Sequence, residues 1–228
     1  MSHLKRLRAP KSWSIKKRKG IKFIARPMPG PHKLNESITL NHVLIEVLNL
    51  AKNKKEVRYI LNQGKILVNN KSRKGQRFPI GLMDTVAIPD NGSFYIVLYD
   101  EHGKFSLVPI KKEDSEVLLC KIINKTILKK KKTQINLHNG ENILVEKDGY
   151  RVGDTLLVQG DKIKKHLKLE KGSLIYLTSG KYKGSSGVLE KIERLSELSE
   201  DMITIKRNKE QIVTRKKYAF VIEKEFKK

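Results

Sequence analysis

Apolar residues change their period along this chain. Leu40, Val43, Leu44, Val47 and Leu48 recur at i, i+3, i+4, i+7 and i+8, which predicts an amphipathic helix. Asn53 and Glu56 stand at capping-box spacing, so a second helix starts there, with Val57, Ile60 and Leu61 facing inward and Gly64 ending it. Residues 65–68 read as a strand and Asn69-Asn70 as a turn. From about Asp90 the helical period is gone. Residues 94–99 and 105–108 flank Glu101-His102-Gly103 as a hairpin, and residues 122–128, 134–137, 143–145 and 152–158 follow as short strands, with Asn139-Gly140 a strong hairpin signal. So many closely spaced strands predict a small barrel or sandwich, closed to protect its edges.

The two ends carry other patterns. Ahead of the first helix, Ala25-Arg26-Pro27-Met28-Pro29-Gly30-Pro31-His32 is held extended by its prolines and reads as a strap leading into a domain. Near the other end, residues 172–189 place two strands around a loop. Gly180, Gly184 and Gly187 permit tight turning there, and Lys181 and Lys183 expose charge. The spacing matches neither a phosphate-cradling P-loop nor a dinucleotide fingerprint, both of which need a following helix. It suits a β-barrel loop that touches RNA or protein.

Charge turns this outline into a functional question. The 228 residues hold 49 Lys and Arg against 24 Asp and Glu, a formal net charge of +25. Residues 1–83 alone carry 20 Lys and Arg against Glu36, Glu46 and Glu56, a balance of +17. Self-repulsion on that scale calls for a polyanionic partner, and nucleic acid, anionic membrane and acidic protein are the candidates. In the N-terminal arm Lys5, Arg6, Arg8, Lys11, Lys16, Lys17, Arg18 and Lys19 meet no acid. On the second helix Lys54 and Arg58 lie four apart with Lys55 alongside, and Lys65, Lys71, Arg73, Lys74 and Arg77 continue the series. Each cluster alone also fits an ordinary solvated face. The lysine run at 129–132 is expected in a loop that either stays solvated or touches phosphate.

Other chemistries find little support. Leu4, Leu7, Trp13 and Ile15 are spaced singly, so the arm is no secretory signal, and its prolines would interrupt the amphipathic helix of a transit peptide. No stretch approaches the roughly 18 apolar residues of a membrane span, so a soluble protein is expected. Cys120, flanked by leucines, is expected in a core, and one cysteine forms no internal disulfide. The six histidines are scattered at spacings that suit no metal. No metal, cofactor or small-molecule substrate is assigned.

Several of these segments together resemble the S4e (S-four-e) family of small-subunit ribosomal proteins. His3-Leu4-Lys5-Arg6-Leu7, Ala9-Pro10-Lys11-Ser12-Trp13 and Pro29-Gly30-Pro31-His32 are similar to its N-terminal region. Gly64-Lys65-Ile66-Leu67-Val68-Asn69 resembles its S-four-type RNA-binding fold, though Asn70 stands where the family's turn usually has glycine, which is expected to weaken the turn. Phe78-Pro79-Ile80-Gly81-Leu82-Met83-Asp84 and Gln134-Ile135-Asn136-Leu137-His138-Asn139-Gly140 resemble its next segments, and the glycine-lysine loop resembles a KOW motif.

The resemblance implies an α+β multidomain chain. Its parts are a basic extended arm and strap (residues 1–37), a small S-four-type αβ RNA-binding domain (38–89), a central small β-domain (90–169) and a C-terminal SH3-like KOW β-barrel with tail (170–228). It implies a structural, non-enzymatic rRNA-binding protein of the small ribosomal subunit, archaeal and cytoplasmic, contacting the 5′ domain of the rRNA and neighbouring ribosomal proteins, with no homo-oligomer expected. The arm would thread between rRNA helices, with Trp13 either stacking on an unpaired base or packing on its own protein. Two other classes compete with this reading. An RNA-modifying enzyme needs a catalytic module that the chain lacks, and a KOW-bearing transcription factor would lack the helix-helix-strand unit at 38–70.

Overall fold

The computed structural model of the chain describes residues 3–128, 132–146, 149–160, 162–193, 200–207 and 210–224. It falls into two compact units, residues 1–118 and 119–227. The lysine run expected to form a loop lies, apart from Lys132, outside the described residues. The architecture is mostly β with few helices.

In the first unit a five-stranded sheet runs in the order Lys71–Ser72, Leu67–Val68, Thr85–Ile88, Ser93–Tyr99, Phe105–Pro109. Every neighbouring pair is antiparallel. Residues 90–109, expected in the central β-domain, therefore complete this sheet. The boundary placed between 89 and 90 falls inside a hairpin, where a short 3₁₀ turn at Pro89–Asn91 and Gly92 at φ 61° reverse the chain.

Helix Lys54–Asn62 forms as its pattern predicts. Asn53 Oδ1 accepts from the backbone N–H groups of Lys55 and Glu56, while Glu56 accepts from that of Lys52. Val57 and Leu61 are fully buried, and Gly64 follows at φ 72°. The helix expected over residues 40–48 is different. Leu40–His42 is α-helical, Val43–Val47 is a π-helix, and the N–H of Leu48 reaches back five residues to Val43 O. Val43 and Leu44 stay fully buried, whereas Val47 and Leu48 are only half-buried beyond the widened turn.

Asn69 and Asn70 both sit at positive φ, 52° and 61°, as a two-residue hairpin turn requires and as asparagine tolerates. Each is also tied down. Asn69 donates to Asp84 Oδ1 and accepts from the N–H of Thr85, and Asn70 donates to Glu116 O. Side-chain bonds thus hold the turn where glycine's freedom would otherwise be needed.

The N-terminal segment is docked. Leu4–Lys5 pairs with Phe23–Ile24, and Ile24 and Ala9 are buried. Trp13 is fully buried, with its Nε1 donating to Ser37 O at 2.7 Å. The strap is pinned at two glycines. A Cβ on Gly30 would lie 2.8 Å from Pro79 Cγ, and one on Gly81 would overlap the ring of His32. His32 Nε2 then meets the buried Asp84 Oδ2 at 2.8 Å.

The second unit holds two five-stranded sheets. One runs Asn142–Val145, Thr133–Leu137, Leu118–Ile127, Thr155–Gln159, Lys162–Leu167. The other runs Glu210–Arg215, Met202–Arg207, Ser186–Glu193, Leu174–Leu177, Ala219–Val221, and encloses a core of Ile175, Leu177, Leu189, Ile203, Ile205, Ile212, Ala219 and Val221. Cys120 is buried, as its leucine neighbours predict.

Candidate nucleic-acid interface

The expected contact residues separate into three groups. The first is displayed to solvent in the first unit: Lys5, Arg8, Lys11, Lys16, Lys17 and Lys19 on the arm, Lys54, Lys55 and Arg58 on the helix, and Lys65, Lys71 and Lys74 elsewhere. The same helix presents Tyr59, which is 66% exposed, beside Lys55 on the turn before it. That combination of cations and an open aromatic face suits nucleic acid. Lys65 is partly drawn off by Asp90 at 3.1 Å, an exposed pair of small worth.

The second group braces the protein itself. Arg6 is buried, with its Nη2 on Glu46 Oε1 and its Nε donating to Lys17 O at 2.6 Å. A planar guanidinium with fixed donors suits such an internal clamp. Trp13, buried beside His42 at 5.5 Å between ring centroids, has no face for a base, so its place is in the core. Arg18 is half-buried and donates to Ala9 O and Pro10 O. Arg77 donates to Arg26 O, and Arg73 lies 4.6 Å over the Phe78 ring. These five side chains satisfy backbone carbonyls or pack on rings, because an extended segment without sheet partners needs donors from elsewhere.

Glu46 is the post on which the arm folds. It takes Arg6 and the backbone N–H of Lys16, and it lies 3.7 Å from His42 Nδ1. Burial lowers the pKa of His42 against the pull of Glu46, so the ring stays neutral and its Nε2 donates to Ser14 O. Burial also opposes charge at His32 and Asp84, but their mutual attraction wins. The His32 pKa rises and the Asp84 pKa falls, the latter helped by hydrogen bonds from Asn69 and the Gly81 N–H.

The third group is the glycine-lysine loop of the second unit. Gly180 and Gly184 sit at φ 90° and 89°. At Gly187 a Cβ would lie 2.6 Å from Ile205 Cγ2 and 2.7 Å from Lys206 O, so only glycine admits the neighbouring strand. Lys181 is exposed, with its Nζ 5.5 Å over the Tyr182 ring, and Lys183 is half-buried. Sequence reasoning missed Lys121 nearby. Its Nζ donates to Lys217 O and Ala219 O, and burial pulls its pKa down to about 8. Nothing in the local pattern distinguishes it from surface lysines on a strand. Among the described residues no three His, Cys, Asp or Glu side chains come together as a metal cluster.

Fold and surface define a strongly basic, β-rich protein, with its exposed cations carried on a docked arm, a capped helix and a strand-loop-strand. Two protein families match the chain: Ribosomal family S4e over residues 91–165, and the RS4NT (NUC023) domain over residues 2–35. The chain is 40% identical to the small ribosomal subunit protein eS4 of Methanocaldococcus jannaschii, over 96% of this chain and 93% of that protein. It is 39% identical to the eS4 protein of Methanothermobacter thermautotrophicus, over 98% and 93%. The crystal structure of the 30S ribosomal protein S4e from Thermoplasma acidophilum superposes with a TM-score of 0.72 at 29% identity, over 82% of this chain and 95% of that one. The chain belongs to the S4e family of ribosomal proteins.

Proposed function

We propose that this protein is a structural constituent of the small ribosomal subunit, binding rRNA in its 5′ domain and contacting neighbouring ribosomal proteins in the cytoplasm. The observation that carries the reading is the end-to-end similarity to eS4 proteins, joined to a first unit whose exposed charged side chains are mostly Lys and Arg. The helix Lys54–Asn62 with hairpin 67–72 serves as the S-four-type RNA-binding element, and the sheet of residues 174–221 as the KOW-type element. Lys5, Arg8, Lys11, Lys16, Lys17, Lys19, Lys54, Lys55, Arg58, Lys71, Lys74, Lys181 and Lys183 neutralise phosphates and release counterions. The protein works by binding, without catalysis.

Sucrose-gradient sedimentation of a cell lysate, before and after a high-salt wash, tests this. Stable comigration with small subunits is the expected outcome. Migration free of subunits, or with large subunits or RNA polymerase, would overturn it in favour of a factor or modifying enzyme.

A further inference from the structure

Where the docked arm passes the start of helix Lys54–Asn62, the first unit contains a cavity of about 630 Å³. Its size falls within the range of small-ligand sites, roughly 300–1,000 Å³. Phe23, Ile24 and Ile45 supply apolar wall, and Phe23 is 42% exposed. Lys52, Lys54 and Lys55, all exposed, stand on the opposite segment. The carboxylate in the lining, Glu46, is already bonded by Arg6, so the balance of charge is positive. Asn41 also lines the cavity. It is 6% exposed, and its Oδ1 is a buried acceptor with no hydrogen-bond partner.

An aromatic face and a row of cations together fit single-stranded nucleic acid. We propose that this cavity receives one unpaired nucleotide of bound RNA, with the base against Phe23 and the adjoining phosphates held by Lys52, Lys54 and Lys55. The inference rests on the RNA-binding reading and deepens it. Phe23 already meets the His3 ring at 5.2 Å between centroids and Lys22 Nζ at 5.5 Å, and a base would extend that stack, whereas an acidic peptide would satisfy only the cations.

The test uses the full chain and two probes, a mixed-sequence single-stranded RNA hexamer and the same hexamer with abasic riboses. Both present the same phosphates. The intact hexamer is expected to bind at least about five-fold tighter than the abasic one, the lower end of what stacking one base contributes. Phe23→Ala should abolish that preference, read as the ratio of the two affinities measured on the same variant. Ile21→Ala, at an exposed position on the rim, should reduce it with the strand Phe23–Ile24 intact, and circular dichroism checks folding of both variants. Equal binding of the two probes, or a preference that both variants retain, would overturn the nucleotide pocket but leave phosphate-driven RNA binding standing. Binding of neither probe would sink the RNA-binding reading itself. Displacement of both probes by a hexaglutamate peptide, with no base preference, would also overturn the proposal and assign the cavity to an acidic partner.

Discussion

At the residue scale, a few side chains do work that their type alone does not announce. His32 comes from a strap, Asp84 from a turn, and Gly81 gives the space in which their pair forms. The sign of the pH effect follows from the directions of their pKa values. A raised His32 contributes stability that is full below its ordinary 6.5 and is lost as pH rises through its folded value. A lowered Asp84 contributes above its ordinary 3.8 and is lost as acid takes pH through its folded value. The pair is therefore worth most between 3.8 and 6.5. His42, lowered by burial, acts in the opposite sense below 6.5, so the pair is best isolated as a difference. The stability of wild type minus that of His32→Gln, from urea unfolding followed by the fluorescence of the single buried tryptophan, should be largest in that window and shrink toward alkaline pH. A difference that stays constant or grows above 6.5 would contradict the pair's role.

At the element scale, the arm and the helix are the informative pieces. The arm is basic in sequence, and its eight cations suggest a free strand for RNA. In the structure it is held by Glu46, one of only three acids in residues 1–83. Removing one member of a buried ion pair costs about 3–5 kcal/mol because the other charge is left unpaired. Glu46→Ala should thus release the arm, freeing the backbone at the already exposed Lys5, Lys11 and Lys17 for cleavage by limited trypsin well before the sheet of residues 67–109 is cut. Simultaneous loss of both would show that the arm is no separable element. The helix behaves as its capping residues and apolar period predict, since those signals are local. The π-turn at Val43–Val47 was not legible, because one added residue in a turn leaves the apolar spacing almost unchanged.

At the scale of the whole molecule, charge decides behaviour. A protein that neutralises phosphates loses affinity steeply with salt, by about 0.7–0.9 in the log-log slope per contact. Replacing Lys54, Lys55 and Arg58 together by Glu should weaken RNA binding sharply and lower that slope by about 2–3, with the circular dichroism spectrum unchanged, as all three side chains are exposed. An unchanged slope at equal folding would remove this helix from the interface. By contrast, Arg6→Gln should act on stability, since Arg6 faces Glu46 and Lys17 O.

The sequence by itself determined the capped helix, the hairpin at Asn69-Asn70, the run of short strands, the buried cysteine and the concentration of charge in the first 83 residues. All of these rest on spacing, turn chemistry or composition within a few residues. Tertiary structure alone decided which cations face solvent and which clamp the chain, because Arg6 and Arg8 are alike in sequence and differ only in whether Glu46 stands opposite. It also placed Trp13 in the core, carried the first sheet past residue 90, and set Phe23, Asn41 and Lys52 around one cavity. Those outcomes depend on pairings between residues tens of positions apart, where the cost of closing the loop is met by burial and hydrogen bonding that no local pattern records.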